Sequence, residues 1–401
     1  MKSRVEFGSK VLGPILYDFC SRLYLYHNAH AANSVTLFAT RSGIRLRYLY
    51  ELFLKSQGFL QLTPHATFMI SRLSAVKSAL HDDYEYAVSI LLREFVNYSM
   101  GDLVRAIISP FKVNLNSSLM DMPINRYEFD KIYWGNNEVG ILLRSNLCEQ
   151  KKLLFKHISE CVSGRHSIIL VDTGWTGNTQ AILMRAFPQW EWYGAYFGRW
   201  DYRGEHPWHF NSICGLSIDG ETTKCDSYKR AVFSLHHIIE DPLEPPIGSV
   251  QYYVGGDERV VSNVRNIDPD MISADDEHYQ GILNYFSSVE KMNFSHINVR
   301  KKQAFKILSR MILRPKKDDL HVLSPRIRSN DFGRGGGCSC LRESSSSAAL
   351  GLKISNINSV LWKQGQIRSE FGCLSPLIFA FYNKIRLRAL VKFFLKYFSK
   401  F

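Results

Sequence analysis

The sequence lacks the long apolar run and the cysteine spacing that would place the protein in a membrane or around a structural metal. No uninterrupted stretch of about 18 apolar residues occurs, so no conventional transmembrane helix is expected. The basic residues near the N-terminus are not followed by an apolar run, which argues against a secretory signal. Eight cysteines are scattered, and only Cys338 and Cys340 are close together. This pattern predicts a cytosolic protein with reduced thiols.

The composition is that of a folded, strongly basic protein. Hydrophobic residues make up 45% of the 401 residues and aromatic residues 13%, which excludes general disorder. The length allows one large α/β domain or two smaller ones. A net charge of +13, much of it toward the C-terminus, suits anionic partners such as phosphorylated sugars, lipid headgroups or nucleic acid.

One stretch, Ser167–Gln180, has the pattern of a buried strand, a glycine-bearing loop and a helix start. Four apolar residues, 168–171, are typical of a strand covered on both faces of a parallel sheet. Asp172 follows at the carboxyl end of the strand, where open α/β sheets bind their ligands. The loop then offers small and hydrogen-bonding residues: Gly174, Thr176, Gly177, Asn178 and Thr179. These features predict a phosphate cradle, although an ordinary junction with Asn178 or Thr179 as N-cap would have the same sequence.

Two earlier strands carry basic residues at their ends. The strand Ser34–Thr40 precedes the turn Arg41–Gly43, and a helix is expected over 44–54. A second strand, Thr67–Ile70, is followed by Ser71 and Arg72. Each arginine alone is explained by a solvated loop charge, but two at the ends of neighbouring parallel strands favour an anion site.

Two further features downstream have weaker interpretations. Glu240 ends an apolar segment, and it is either a polar contact of the site or a helix-terminal surface acid. His236 and His237 are adjacent, so they are expected to point to different faces, and no metal site is predicted.

These patterns predict an α/β protein with a parallel sheet in residues 1–255, interrupted by a helical insertion at about 75–163. A helical extension is expected over 256–330, and a flexible linker with an irregular segment over 331–375. Residues 376–401 are expected to form a basic amphipathic helix that suits an anionic membrane surface or a partner protein. Nucleic-acid binding is not expected, because these basic residues lie on an apolar helix rather than among stacking aromatics.

The spacing Asp172-x-x-x-Thr176-Gly177-x-Thr179 resembles the signature of type I phosphoribosyltransferases. Several pieces also resemble a bacterial family from polysaccharide biosynthesis, in which the region follows a phosphatase domain of the haloacid dehalogenase type. The matching pieces, in order over about residues 10–335, are Leu12–Pro14, Leu37–Gly43, Met69–Arg72, Val171–Gly177 with Gln180, Glu240–Ser249 and Gln280–Leu283.

The resemblance implies a phosphoribosyltransferase-like core that moves 5-phosphoribose from phosphoribosyl pyrophosphate to a sugar hydroxyl of a surface polysaccharide precursor such as O-antigen or capsule. It implies that Asp172 holds the ribose, that the loop 174–179, including Trp175, binds the 5-phosphate, and that Arg41, Gly43 and Arg72 hold pyrophosphate with donor-bound Mg²⁺. Glu240 is the candidate acceptor base, and relative to simple phosphoribosyltransferases the helical insertion at about 75–163 is expected to shape the acceptor site. The expected location is the inner face of the cytoplasmic membrane, near a lipid-linked glycan acceptor.

The chain departs from the family pattern at two acids. Val171 stands where the first of an acidic pair is usual, and Ser42 stands where Arg-Asp-Gly is usual. We also recognise no phosphatase signature of the Asp-x-Asp type, so a separate phosphatase is expected to remove the 5-phosphate. The missing acids leave open a second interpretation, a non-catalytic scaffold of a polysaccharide assembly complex.

Overall fold

A five-stranded parallel sheet forms the centre of the molecule. The computed structural model describes residues 1, 3–30, 33–59, 64–111, 115, 117–201, 204–220, 227–256, 259–264, 276–291, 293–324, 328–329, 337–343 and 349–379. The sheet strands are β1 Ser34–Ala39, β2 His65–Phe68, β3 Ser167–Asp172, β4 Glu191–Arg199 and β5 Ile213–Asp219. They lie in the order β2-β1-β3-β4-β5, and every neighbouring pair is parallel. The predicted α/β class and parallel sheet are therefore confirmed.

Helices surround the sheet. The first ten are α1 Arg4–Phe7, α2 Gly13–Ala29, α3 Ser42–Gln57, α4 Arg72–Ala79, α5 Tyr84–Glu94, α6 Met100–Ile108, α7 Ser117–Met120, α8 Arg126–Trp134, α9 Glu138–Val162 and α10 Asn178–Ala186. A π-helical turn, Gly8–Leu12, joins α1 to α2. Short helical turns follow at Trp208–Ser212, Ser227–Val232, Phe233–Leu235, His237–Glu240 and Asp241–Leu243. The later helices are Glu277–Ser288, Phe294–Leu313, Lys317–Leu323, Leu350–Ser359 and Lys363–Phe371, with a turn at Gly372–Leu374.

The strands are apolar on both faces because helices cover both sides of the sheet. In β3, Ile169 and Val171 contribute to a core shared with α2, α3 and the helices of residues 277–313. Ile168 and Leu170 alternate with them and face a second core, shared with α4–α6 and α8–α10. Removing so much apolar surface from water is the main source of stability for such a layered fold.

The helices between β2 and β3 occupy the range predicted as a helical insertion. They pack against one face of the sheet and bury its second core. Their expected role in shaping the acceptor site stays a prediction.

The C-terminal helices pack against the N-terminal ones. Gly8 and Gly281 meet where two helices cross, and a Cβ on either glycine would collide with the backbone of the other helix. Trp362 is fully buried, and its indole donates to the carbonyl of Ile312 over 3.0 Å. Leu350–Ser359 and Lys363–Phe371 are helices, and Trp362 between them is anchored in the core, whereas the sequence predicted a flexible linker and irregular segment over 331–375.

Most predicted elements agree with the structure, with local differences. β2 begins and ends two residues earlier than the predicted Thr67–Ile70. The sequence did not predict β5, the hairpin strands Tyr253–Gly255 and Val260–Ser262, or the two-residue strands Arg328–Ser329 and Gly337–Cys338. The basic helix predicted over 376–401 lies outside the described residues from residue 380 onward. Within the part of the chain that is described, no helix combines the length and apolar character needed to span a bilayer.

Candidate functional site

The strand order creates a crevice at the carboxyl edge of the sheet. From β1 the chain crosses to β2 on one side of the sheet and later returns to β3 on the other side. The helices that follow neighbouring strands β1 and β3 therefore lead away in different directions. Open α/β sheets bind ligands at such a switch point. The loops after β1 and β3 carry the residues that the sequence analysis singled out.

These two loops are in direct contact. The hydroxyls of Ser42 and Thr173 lie 3.1 Å apart, and both residues are buried. Thr40 ties the same region to β2, because its hydroxyl donates to the Phe68 carbonyl over 2.9 Å and accepts from the Ile70 amide. The three strand ends thus form one connected edge.

The helices α3 and α10 begin without a side-chain cap. Gly177 is the N-cap of α10, with φ of 64°, and no side chain caps the helix. Neither Asn178 nor Thr179 is the N-cap, which excludes the ordinary capped junction. Arg41 is the N-cap of α3, again without a capping hydrogen bond. Their first amide groups therefore keep hydrogen-bonding capacity for an anion.

Gly177 is the residue that this loop geometry requires. Its left-handed backbone is unfavourable for any residue with a Cβ, and a Cβ would also collide with the side chain of Ile213. The loop is held from outside by His209, whose Nε2 lies 2.8 Å from the Thr176 carbonyl. His209 was not identified from the sequence, because it lies 33 residues from its partner.

Asp172 is the carboxylate at the centre of this edge. It ends β3, and its carboxylate accepts hydrogen bonds from the backbone amides of Gly174 and Thr173. Burial raises the pKa of Asp172 to about 6, and the negative charge of Glu240 contributes to the increase. The nearby hydroxyl of Tyr196 is buried and has no hydrogen-bond partner among the described residues. Such a carboxylate is poised to accept hydrogen bonds from ligand hydroxyls.

Both predicted arginines are ion-paired. Arg41 Nη2 lies 3.2 Å from Glu244 Oε2, and Arg72 Nη1 lies 3.1 Å from Glu94 Oε2. The Arg72 charge nevertheless acts on Asp172, whose pKa it lowers against the larger effect of burial. The third predicted residue of this group, Gly43, is buried against the backbone of Phe38, where a Cβ would come within 2.6 Å. Close packing alone accounts for glycine at this position.

Trp175 links the β3 loop to Glu240. Its side chain is buried on Gly198, and its indole Nε1 donates to Glu240 Oε1 over 3.1 Å. The other carboxylate oxygen of Glu240 lies 3.1 Å from His237 Nδ1. The Trp175 side chain therefore packs in the core and fixes Glu240.

The expectation that His236 and His237 point to different faces is wrong. Their ring centroids are 4.0 Å apart, and both rings lie near Glu240. The predicted residues of the β3 loop, with Glu240, thus come together, and Arg41 and Arg72 lie at the two adjacent strand ends. No protein-family model matches the chain, and no curated protein matches it significantly.

Proposed function

We propose that this chain is a phosphoribosyltransferase that moves 5-phosphoribose from phosphoribosyl pyrophosphate to a sugar hydroxyl of a bacterial surface polysaccharide precursor. The observation that carries the proposal is the pair of uncapped helix N-termini, α3 and α10, whose loops touch at the switch point of the sheet. The proposed donor carries phosphate at one end and pyrophosphate at the other. Two adjacent anion cradles suit such a ligand.

In this proposal each cradle binds one end of the donor. The loop from Gly174 to Thr179 holds the 5-phosphate, chiefly through the first amides of α10. Arg41 and Arg72 provide positive charge for the pyrophosphate. Asp172 accepts hydrogen bonds from the ribose hydroxyls and stabilises positive charge that develops on the ring.

The reaction exchanges one bond at C1 of the ribose for another. The bond from C1 to pyrophosphate breaks and pyrophosphate leaves with the bonding electrons. The acceptor oxygen forms the new bond to C1 and gives its proton to a base, for which Glu240 is the candidate. A separate phosphatase then removes the 5-phosphate in this scheme.

In this proposal Mg²⁺ binds to the phosphates of the donor and not to carboxylates of the protein. Val171 is buried in the core, and the hydroxyl of Ser42 is engaged with Thr173. The two positions where the resemblance expects acids therefore offer no carboxylate to a cation. Magnesium commonly binds through substrate phosphates with few protein ligands, so it would accompany the pyrophosphate.

The test is the substitution Asp172→Asn, measured with isotopically labelled donor and lipid-linked glycan acceptors. We expect the transfer rate to fall roughly 10²- to 10³-fold, because the neutral amide stabilises the developing positive charge poorly. The matched control is Asp219→Asn, the same change at the end of β5, where the carboxylate pairs with Arg199. The control is expected to leave transfer by the folded protein unchanged. Normal transfer by Asp172→Asn would refute the assignment.

A non-catalytic scaffold of a polysaccharide assembly complex is the second candidate. It is favoured by the ion pairs of Arg41 and Arg72, which already satisfy both positive charges. Thermal unfolding with millimolar phosphoribosyl pyrophosphate, with and without Mg²⁺, separates the two candidates. A rise in the midpoint supports the enzyme, and an unchanged midpoint supports the scaffold.

We also propose that the protein attaches to the cytoplasmic face of the membrane through its basic C-terminal segment. In the sequence beyond residue 380, lysine or arginine recurs every four residues beside an apolar stripe. Such a pattern attracts anionic lipid. Sedimentation with anionic vesicles, but not with neutral ones, is expected for the full chain and should be lost on truncation after Phe379. Equal sedimentation of both chains would contradict the attachment.

A further inference from the structure

Three side chains of metal-ligating type lie on one side of a short helical segment. His236 has helical backbone angles, and His237–Glu240 forms the next turn. At about 100° per residue, Glu240 projects about 40° from His236 and about 60° from His237 around the helix axis, between the two imidazoles. The intervening Ile238 and Ile239 are buried in the core on the opposite side. The local fold therefore directs all three polar side chains together.

The distances within this cluster are those of a metal centre. One ligating atom from each residue lies within 4.8 Å of the others, and His237 Nδ1 lies 3.1 Å from Glu240 Oε2. An ion with bonds of about 2.0–2.2 Å keeps its ligand atoms roughly 3.0–3.5 Å apart. One pair already has this separation, and the His236 ligating atom lies within 4.8 Å of the other two.

We infer that His236, His237 and Glu240 form a binding site for a divalent transition-metal ion such as Zn²⁺ or Fe²⁺. Two imidazoles and one carboxylate favour these ions over Mg²⁺ and Ca²⁺, which prefer oxygen ligands. All three residues are partly exposed, so an ion can enter from solvent. Three protein ligands leave coordination positions for water or a ligand oxygen.

A hydrogen bond from a neighbouring residue prepares the carboxylate ligand. The indole of Trp175 donates to Glu240 Oε1, which leaves Oε2 directed toward His237. Hydrogen bonds of this kind orient ligands and raise metal affinity. Because Trp175 belongs to the loop after β3, the ion would be coupled to the crevice at the sheet edge.

The metal site does not depend on the proposed transfer reaction. In the metal-loaded protein Glu240 is a ligand, so it no longer serves as the acceptor base. Metal binding and phosphoribosyl transfer are measured separately, and either can fail while the other holds.

The experiment is titration of the full-length, metal-free protein with Co²⁺, followed by visible absorption, and then displacement of Co²⁺ by Zn²⁺. We expect one ion per chain and a spectrum without a thiolate charge-transfer band. His236→Gln and His237→Gln should each weaken binding at least 10-fold. Glu240→Gln should do the same while it preserves an acceptor for the Trp175 indole. Trp175→Phe should weaken binding roughly 10-fold, as loss of a ligand-orienting hydrogen bond does.

The matched control is His81→Gln. His81 also pairs with a carboxylate, that of Asp82, but it lies on the surface outside the cluster. This variant should bind Co²⁺ as the unchanged protein does, and circular dichroism checks that every variant is folded. The inference is overturned if the full chain binds no Co²⁺, if a thiolate band shows binding by cysteine, or if folded cluster variants bind as tightly as the control.

Discussion

Two strand–helix junctions at the same edge of the sheet have opposite designs. At the β2–α4 junction, Ser71 and Ser74 form a reciprocal capping box in which each side chain accepts from the other's amide. At the β3–α10 junction, Gly177 supplies no side chain, and Asp172 lies five residues earlier with a raised pKa. A closed cap stabilises the helix by itself, whereas an open N-terminus gives up that stability and stays available to an anion. This difference indicates that the backbone amides of the β3–α10 junction, and not those of the capped β2–α4 junction, are available to bind an anion.

Among the substitutions that test the difference between the two junctions, Gly177→Ala should lower the free energy of unfolding the most. A Cβ at this position meets both an unfavourable backbone conformation and the side chain of Ile213. We expect the free energy of unfolding to fall by about 3 kcal/mol, from roughly 1–2 kcal/mol of backbone strain and a similar overpacking cost. Urea denaturation measures the loss.

The matched control for that substitution is Gly58→Ala. Gly58 has nearly the same backbone, with φ of 66°, but no atom lies within 4 Å of its Cβ position. It should lose only the backbone part, about 1 kcal/mol. If both variants lose the same amount, the contact with Ile213 does not shape the loop.

A smaller effect is expected when the stability of Asp172→Asn is followed against pH. Burial raises the pKa of Asp172 from 3.8 to about 6 in the folded protein, so the carboxylate destabilises the fold once it is charged. This penalty is absent below pH 3.8 and grows as pH rises through 6. Relative to the unchanged protein, the variant should therefore gain on the order of 2 kcal/mol between pH 4 and pH 8.

Chemical denaturation at the two pH values measures this gain. A stability difference that does not change with pH would show that the Asp172 carboxyl has an ordinary pKa. The open junction would then carry no electrostatic cost.

The smallest effect should come from Ser71→Ala at the closed junction. The substitution removes the cap and the hydrogen bond that the Ser71 hydroxyl donates to the Val250 carbonyl, so we expect a cost of roughly 1.5 kcal/mol. This cost should not vary between pH 4 and pH 8, because no charge is involved. Thermal unfolding at both pH values tests it. A loss that depends on pH would mean that the two junctions are electrostatically coupled and the comparison does not separate them.

The sequence predicted those strands whose buried residues form a nearly continuous apolar run. The run Ile168–Val171 is apolar on both faces because helices cover both sides of the sheet, and the acid and glycine after it mark the strand end. β5 was missed because its residues, Ile213–Asp219, include glycine and serine, which weaken the pattern. A strand is recognised in the sequence when its buried positions are apolar. Most of β5 is buried, but its buried positions are not uniformly apolar.

The organisation of the site could be predicted only in part. The strand-end residues lie at one edge of the sheet, as the sequence predicted, because parallel strands end at the same edge. The indole of Trp175 reaches Glu240 across 65 residues of sequence, and no local pattern encodes that contact. The convergence of His236 and His237 does not follow from their adjacency, because neighbouring helical residues project about 100° apart. It becomes apparent only with Glu240, which projects between the two imidazoles.

The crossing of Gly8 and Gly281 has a consequence for synthesis of the chain on the ribosome. The first helix buries its face against a partner that is translated about 270 residues later. At roughly 5–20 residues per second, the segment around Gly8 waits on the order of 10–50 s with that face uncovered. Chaperones that bind apolar segments therefore have an extended opportunity to bind this segment during synthesis.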